Sequence, residues 1–235
     1  SMMARKGWVT ILPDPRGIGG SKGPDPKSLF DLAGDVATVI ETLCDGPVDV
    51  VGHAFGNRVA RALATAHPAL VRRVALLAGG GEVRPSPEIV AALEGSFAQG
   101  IKPDDLRLRD LQTAFFASGN DASLWLTGWY PATARIQMAA AQATKTETWW
   151  RAGSAPLMLI QPSEDPIAPA GNAEALRRDV GDRLAVVHLG HASHAILPEQ
   201  PKAVAALLSA YFGGQSDENK LQALTDRNVR KPSKH

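Results

Sequence analysis

The sequence predicts an α/β protein, a parallel sheet covered by helices with a helical segment inserted between two of its strands. Three observations carry this. Short apolar runs recur along the chain with helix-like segments between them, and those runs are too uniformly apolar to alternate as half-exposed strands do. Strand-like sequence is absent from residues 82–153, where helical patches rich in Trp, Phe and Ala take over. The residues able to do chemistry stand just beyond strand-like runs, where open α/β sheets bind ligands.

In chain order, residues 8–12 (WVTIL) read as a first strand ending at Pro13-Asp14. Residues 28–43 place Leu29, Leu32, Val36, Val39, Ile40 and Leu43 at helical spacing, with Ser28 as the cap. Residues 48–51 are the next strand, 57–67 a helix and 73–77 another strand. After the insertion come strands at 157–161 and 184–189 with a helix near 172–179 between them, and a helix over 203–212. The expected division is a first core part at 1–81, a helical cap at 82–153, a second core part at 154–213 and a polar, loosely ordered tail at 214–235.

Composition narrows the function classes. The chain has 235 residues, 25 Lys plus Arg against 24 Asp plus Glu, a balance that gives nucleic acid no electrostatic footprint. A single cysteine, Cys44, excludes an internal disulfide framework and suits a reducing compartment, and no apolar run reaches the roughly 18 residues of a membrane span. A cytoplasmic protein with no nucleic-acid or membrane partner is the expectation. Neither metal-ligand spacing nor a phosphate-cradling loop with a following Lys is present, so no metal and no cofactor is expected.

The chemistry concentrates in three places. DPRGIGGS (residues 14–21) follows the first strand. VVGHAFGN (residues 50–57) has the frame of a nucleophile elbow, G-x-S-x-G, with Ala54 where the serine belongs. Near the carboxyl end, QPSEDPIAP places Asp165 after one strand and HASHAILPEQP places His194 after the last. An acid that orients an imidazole and an imidazole that moves protons are the two partners an elbow residue needs.

In this order the motifs resemble the α/β-hydrolase superfamily, in the branch of small esterases, lactonases, dehalogenases and epoxide hydrolases. The R-G-x-G-x-S loop is matched by Arg16, Gly17, Gly19 and Ser21, the D-x-x-A/V-P acid turn by Asp165, Ala168 and Pro169, and the histidine loop by His194, Glu199 and Pro201. The resemblance implies a site of Ala54 in the nucleophile position, Asp165 as acid, His194 as base and the Phe55 N–H as oxyanion donor. The concentration of aromatics in the inserted segment suggests an apolar pocket roof, for which Trp125, Trp129, Tyr130, Trp149 and Trp150 are candidates, and His191, close to His194, is a candidate to line the same pocket. His53 is expected to pack beneath the turn.

The sequence departs from the family pattern twice. Ala54 has no lone pair, which closes the acyl-enzyme route. The family's H-G strand and loop, donor of the second oxyanion N–H, has no counterpart before residue 8, so the chain is expected to be truncated at its amino end relative to the family. In the family that strand lies between the strands matching residues 8–12 and 48–51. Without it those two must pair directly or another chain must fill the gap, and a homo-oligomer covering the region is the expected association. Two readings of function follow. One is a small-molecule, ester-type hydrolase scaffold with impaired catalysis, in which His194 and Asp165 can still activate water. The other is a non-catalytic ligand-binding or partner subunit derived from a hydrolase.

Overall fold

A computed structural model describes residues 2–229. Its sheet has four parallel strands in sequential order, β1 (Val48–His53), β2 (Val71–Leu77), β3 (Leu157–Pro162) and β4 (Leu184–Leu189). The two central strands are buried on both faces, which explains why their sequences show no polar alternation. Period-two geometry still sorts their side chains. Val74, Leu76, Leu157 and Leu159 enter one core, whereas Ala75, Leu77, Met158 and Ile160 enter the other.

The first core is closed by α1 (Leu29–Leu43), α2 (Gly56–Ala66) and, further on, α6 (Gly171–Val180). Helix α1 begins where the sequence predicts, because Ser28 forms a reciprocal capping box with Asp31, and it buries Leu29, Leu32, Ala33, Ala37 and Ile40. Between β2 and β3 lie α3 (Pro87–Ser96), α4 (Asp104–Phe115) and α5 (Pro131–Ala143), with a 3-10 turn at Ala122–Trp125. The short α7 (Ile196–Glu199) leads into α8 (Pro201–Phe212), which covers the second core.

Two expectations are corrected. Residues 8–12 do not form a strand. They have no sheet partner, Val9 and Leu12 being 93% and 84% exposed, while Trp8 is anchored, its indole N–H donating to Ser209 Oγ at 3.2 Å. Strand composition alone does not make a strand, and among the described residues β1 pairs only with β2. The polar tail is also more ordered than its composition suggests. Glu218–Asn228 form α9, capped by Asp217, with Leu221 fully buried against the second core. Its Gln222 accepts from His188 N–H and donates to His188 O at 2.8 and 2.9 Å, and Glu218 accepts from Val186 N–H at 2.8 Å. Side chains of α9 thus satisfy the outer edge of β4 as a further strand would. Residues 230–235 lie outside the described residues.

Candidate active site

Residue 54 stands at the carboxyl end of β1 with φ +51°, a left-handed conformation costly for any residue with a Cβ. The turn is held from several sides. Ala54 N–H donates to Leu77 O at 3.2 Å, and Asn57 donates to Ala54 O through both its backbone N–H (3.1 Å) and its side-chain amide. Gly52 is required by space, since a Cβ there would lie 2.5 Å from Gly56 O and 2.7 Å from Asn57 Cα. Gly56 faces open space, so the small residue expected on that flank is not demanded by contact. The chain therefore keeps the strained elbow although its central side chain is a methyl.

The acid and the imidazole come from the ends of the last two strands. Asp165 follows β3, and its Oδ1 accepts from the N–H groups of Ile167 and Ala168, both at 2.9 Å, which fixes the carboxylate as an acceptor. His194 follows β4, its Nδ1 lying 3.0 Å from Asp165 Oδ2 and 3.2 Å from Oδ1. Both residues are buried. A carboxylate at Nδ1 makes that nitrogen the protonated one and leaves Nε2 as the proton acceptor. The pair meets directly, with no bridging water needed.

Three further groups hold the imidazole loop, and sequence reasoning assigned none of them this task. His53 Nε2 lies 2.7 Å from His194 O, tying the residue before the elbow to the loop. Burial first, and repulsion from His194 second, push the His53 imidazole down to about 4. It is neutral at physiological pH and donates to that carbonyl. Glu199, buried behind the loop, accepts from Ser193 N–H (2.6 Å), Ala117 N–H (2.7 Å) and Asn120 Nδ2 (2.7 Å). Burial raises its pKa, and these donors work against the rise. Ala195 N–H donates to Phe115 O at 2.7 Å, so the histidine loop is bonded to the end of α4.

The aromatic candidates fall into two groups. Trp125 and Trp129 stack edge-on with Phe115 at 5.3 and 5.6 Å, and the Phe115 ring lies 5.8 Å from the His194 ring. This cluster borders the imidazole. Trp149 and Trp150 are instead packed in the first core around the guanidinium of Arg61, at 5.4 and 4.5 Å from its carbon. Tyr130 is half exposed at the start of α5. His191 is exposed, with φ +52°, and its carbonyl accepts from the Asn120 and Gln200 side chains. The Phe55 N–H, just past the elbow, meets no acceptor among the described residues. Glu164, beside Asp165, accepts from Ser118 N–H, and Cys44 caps α1.

A parallel sheet, an elbow after its first described strand, and an acid and a histidine after consecutive later strands form one recognisable plan, and a model of the Alpha/beta hydrolase family matches residues 3–207. The chain belongs to this family. A protein of Mycobacterium tuberculosis named "Putative non-heme bromoperoxidase BpoC" is 26% identical over 230 residues, covering 88% of this chain and 83% of its own. Residues of this hydrolase-family chain also align with "Putative carbamate hydrolase RutD" of Caulobacter segnis, 35% identical over 85 residues, 35% of this chain and 31% of that one. The crystal structure of BpoC from M. tuberculosis H37Rv superposes with a TM-score of 0.68 at 22% identity, over 85% of this chain and 79% of that chain, a likeness of fold. No helix among the described residues is long and apolar enough to cross a membrane.

Proposed function

We propose that this chain carries a hydrolase-type site whose covalent route is closed and whose proton-transfer pair is kept. Asp165 orients His194. The free Nε2 takes a proton from water as its oxygen bonds to the carbonyl carbon of a small ester- or carbamate-type substrate. The same proton then goes to the departing alcohol oxygen or amine nitrogen as the bond from carbon to that atom breaks. General-base assistance of this kind is worth about 10²–10⁴ in rate, enough for a substrate that is already labile. Aryl esters and aryl carbamates, with a good leaving group, belong to that class, and one relative bears the name of a carbamate hydrolase. The observation that carries the reading is the buried, directly bonded His194–Asp165 pair tied to an elbow that retains its strain with Ala54 in it.

The helices between β2 and β3 act in this reading as a cap, with Phe115, Trp125 and Trp129 giving the site an apolar wall for a small apolar molecule. The methyl of Ala54 in the nucleophile position favours a second reading, a ligand-binding site without turnover. Steady hydrolysis of a labile carbamate or activated ester separates the two. The first reading expects slow turnover without a burst, abolished by His194→Gln and lowered by Asp165→Asn. Saturable binding of the same compounds with hydrolysis no faster than in buffer supports the second.

A further inference from the structure

Arg61 lies on α2, two turns beyond the elbow, and is completely buried. Among the described residues no carboxylate pairs with it. Its Nη2 donates to Asn57 Oδ1 (2.7 Å) and Gly80 O (3.2 Å), its Nη1 to Trp150 O (3.4 Å), and its Nε meets no acceptor among the described residues. Trp149 and Trp150 flank the guanidinium, and Arg58, one turn away, repels it. Burial pushes its pKa down to about 9, so it remains charged at neutral pH. A buried cation without a counter-ion is costly, and a methionine or leucine would fill such an aromatic slot at lower cost.

The path from this cation leads to the site. The Asn57 amide receives the Arg61 N–H at its oxygen and donates through its nitrogen to Ala54 O. That oxygen belongs to the peptide group whose nitrogen is Phe55 N. Hydrogen bonds in series polarise one another, and an acceptor bond at a peptide oxygen strengthens its N–H as a donor. We infer that Arg61 is a positioning residue that acts through Asn57 on the Ala54–Phe55 peptide, holding the elbow in its left-handed turn and strengthening the Phe55 N–H as an anion donor. The inference rests on the proposed reading of the site for its consequence in catalysis, and on the geometry alone for its effect on the peptide.

Two measurements test it. In an Ala54→Ser background, the rate of fluorophosphonate labelling is compared with and without Arg61→Met. In the native chain, the Phe55 amide resonance is followed by ¹⁵N NMR in the same variant and in Asn57→Asp, which keeps an acceptor for Arg61 and removes the donor to Ala54 O. The expected result is labelling slowed about tenfold, the loss of roughly one hydrogen bond's worth of stabilisation. Thermal stability of Arg61→Met is held or raised, and the Phe55 ¹⁵N resonance moves upfield in both variants. Labelling that is unchanged, or that falls only in step with thermal stability, overturns the inference. If Ala54→Ser takes no label at all, the hydrolase reading fails separately and the amide resonance decides. A shift in Arg61→Met still supports the coupling, and an unmoved resonance in both variants overturns it.

Discussion

At residue 54 a methyl group occupies a backbone conformation that suits glycine, in a turn whose strain serves to present a side chain. The residues around it behave as though that side chain mattered. His53 shows this best, because its burial has a measurable cost. Its pKa in the folded chain, about 4, lies below the ordinary 6.5, so between those values the unfolded chain binds a proton that the native one does not. Stability therefore falls as pH drops from about 6.5 to about 4, by no more than about 3 kcal/mol, and this group adds nothing further below pH 4. Urea midpoints at pH 7.5 and 5 should show the drop in the native chain and a smaller one in His53→Gln; equal drops contradict the assignment. Sequence put Ala54, Asp165 and His194 each just beyond an apolar run, and they follow β1, β3 and β4 in the structure, because each stands in a motif next to such a run. It could not find the bond from His53 to His194 O or the path from Arg61 through Asn57, since a partner more than a hundred residues away, or a neutral acceptor for a cation, leaves no local pattern.

At the scale of elements, the elbow and the tail helix make opposite points about glycine and polar sequence. Gly52→Ala drives a Cβ into the backbone of α2 and should cost about 3 kcal/mol or more. Gly56→Ala meets nothing and, at the start of a helix, should be neutral or stabilising by up to about 1 kcal/mol. Thermal melts of the two variants check the contrast, and equal losses contradict it. Helix α9 escaped the sequence reading because only Leu221 is fully buried among its apolar residues, too little to set a helical period. Its hold on β4 comes from Gln222 and Glu218 bonding to backbone, polar residues that composition assigns to solvent. Removal of residues 215–235 should uncover the β4 edge and the Leu221 site, lowering the melting temperature and promoting aggregation; a melt identical to that of the full chain contradicts that role.

For the molecule as a whole, the two sheet edges are unequal. The β4 edge is satisfied by α9, whereas β1 ends the sheet on its other side with Val51 44% exposed, and Val9, Ile11 and Leu12 are exposed as well. The fold class was legible from the uniformly apolar central strands, since burial on both faces is written in composition. The fate of residues 8–12 was not, because whether a β-prone segment becomes a strand depends on its neighbour and not on itself. An unpaired sheet edge and exposed apolar side chains are both features that favour association. Leu12→Lys combined with Val51→Lys should reduce concentration-dependent light scattering without altering the circular dichroism spectrum, and undiminished scattering places association elsewhere.

The central claim is that the acid–base pair is built and poised while the nucleophile is absent. Fluorophosphonate labelling reads this most directly, since it needs a nucleophile and its base but no particular substrate. The native chain should take no label, Ala54→Ser should be labelled at residue 54, and Ala54→Ser with His194→Ala should again be unlabelled. Labelling of the native chain, or failure of the folded Ala54→Ser variant to react, would contradict it.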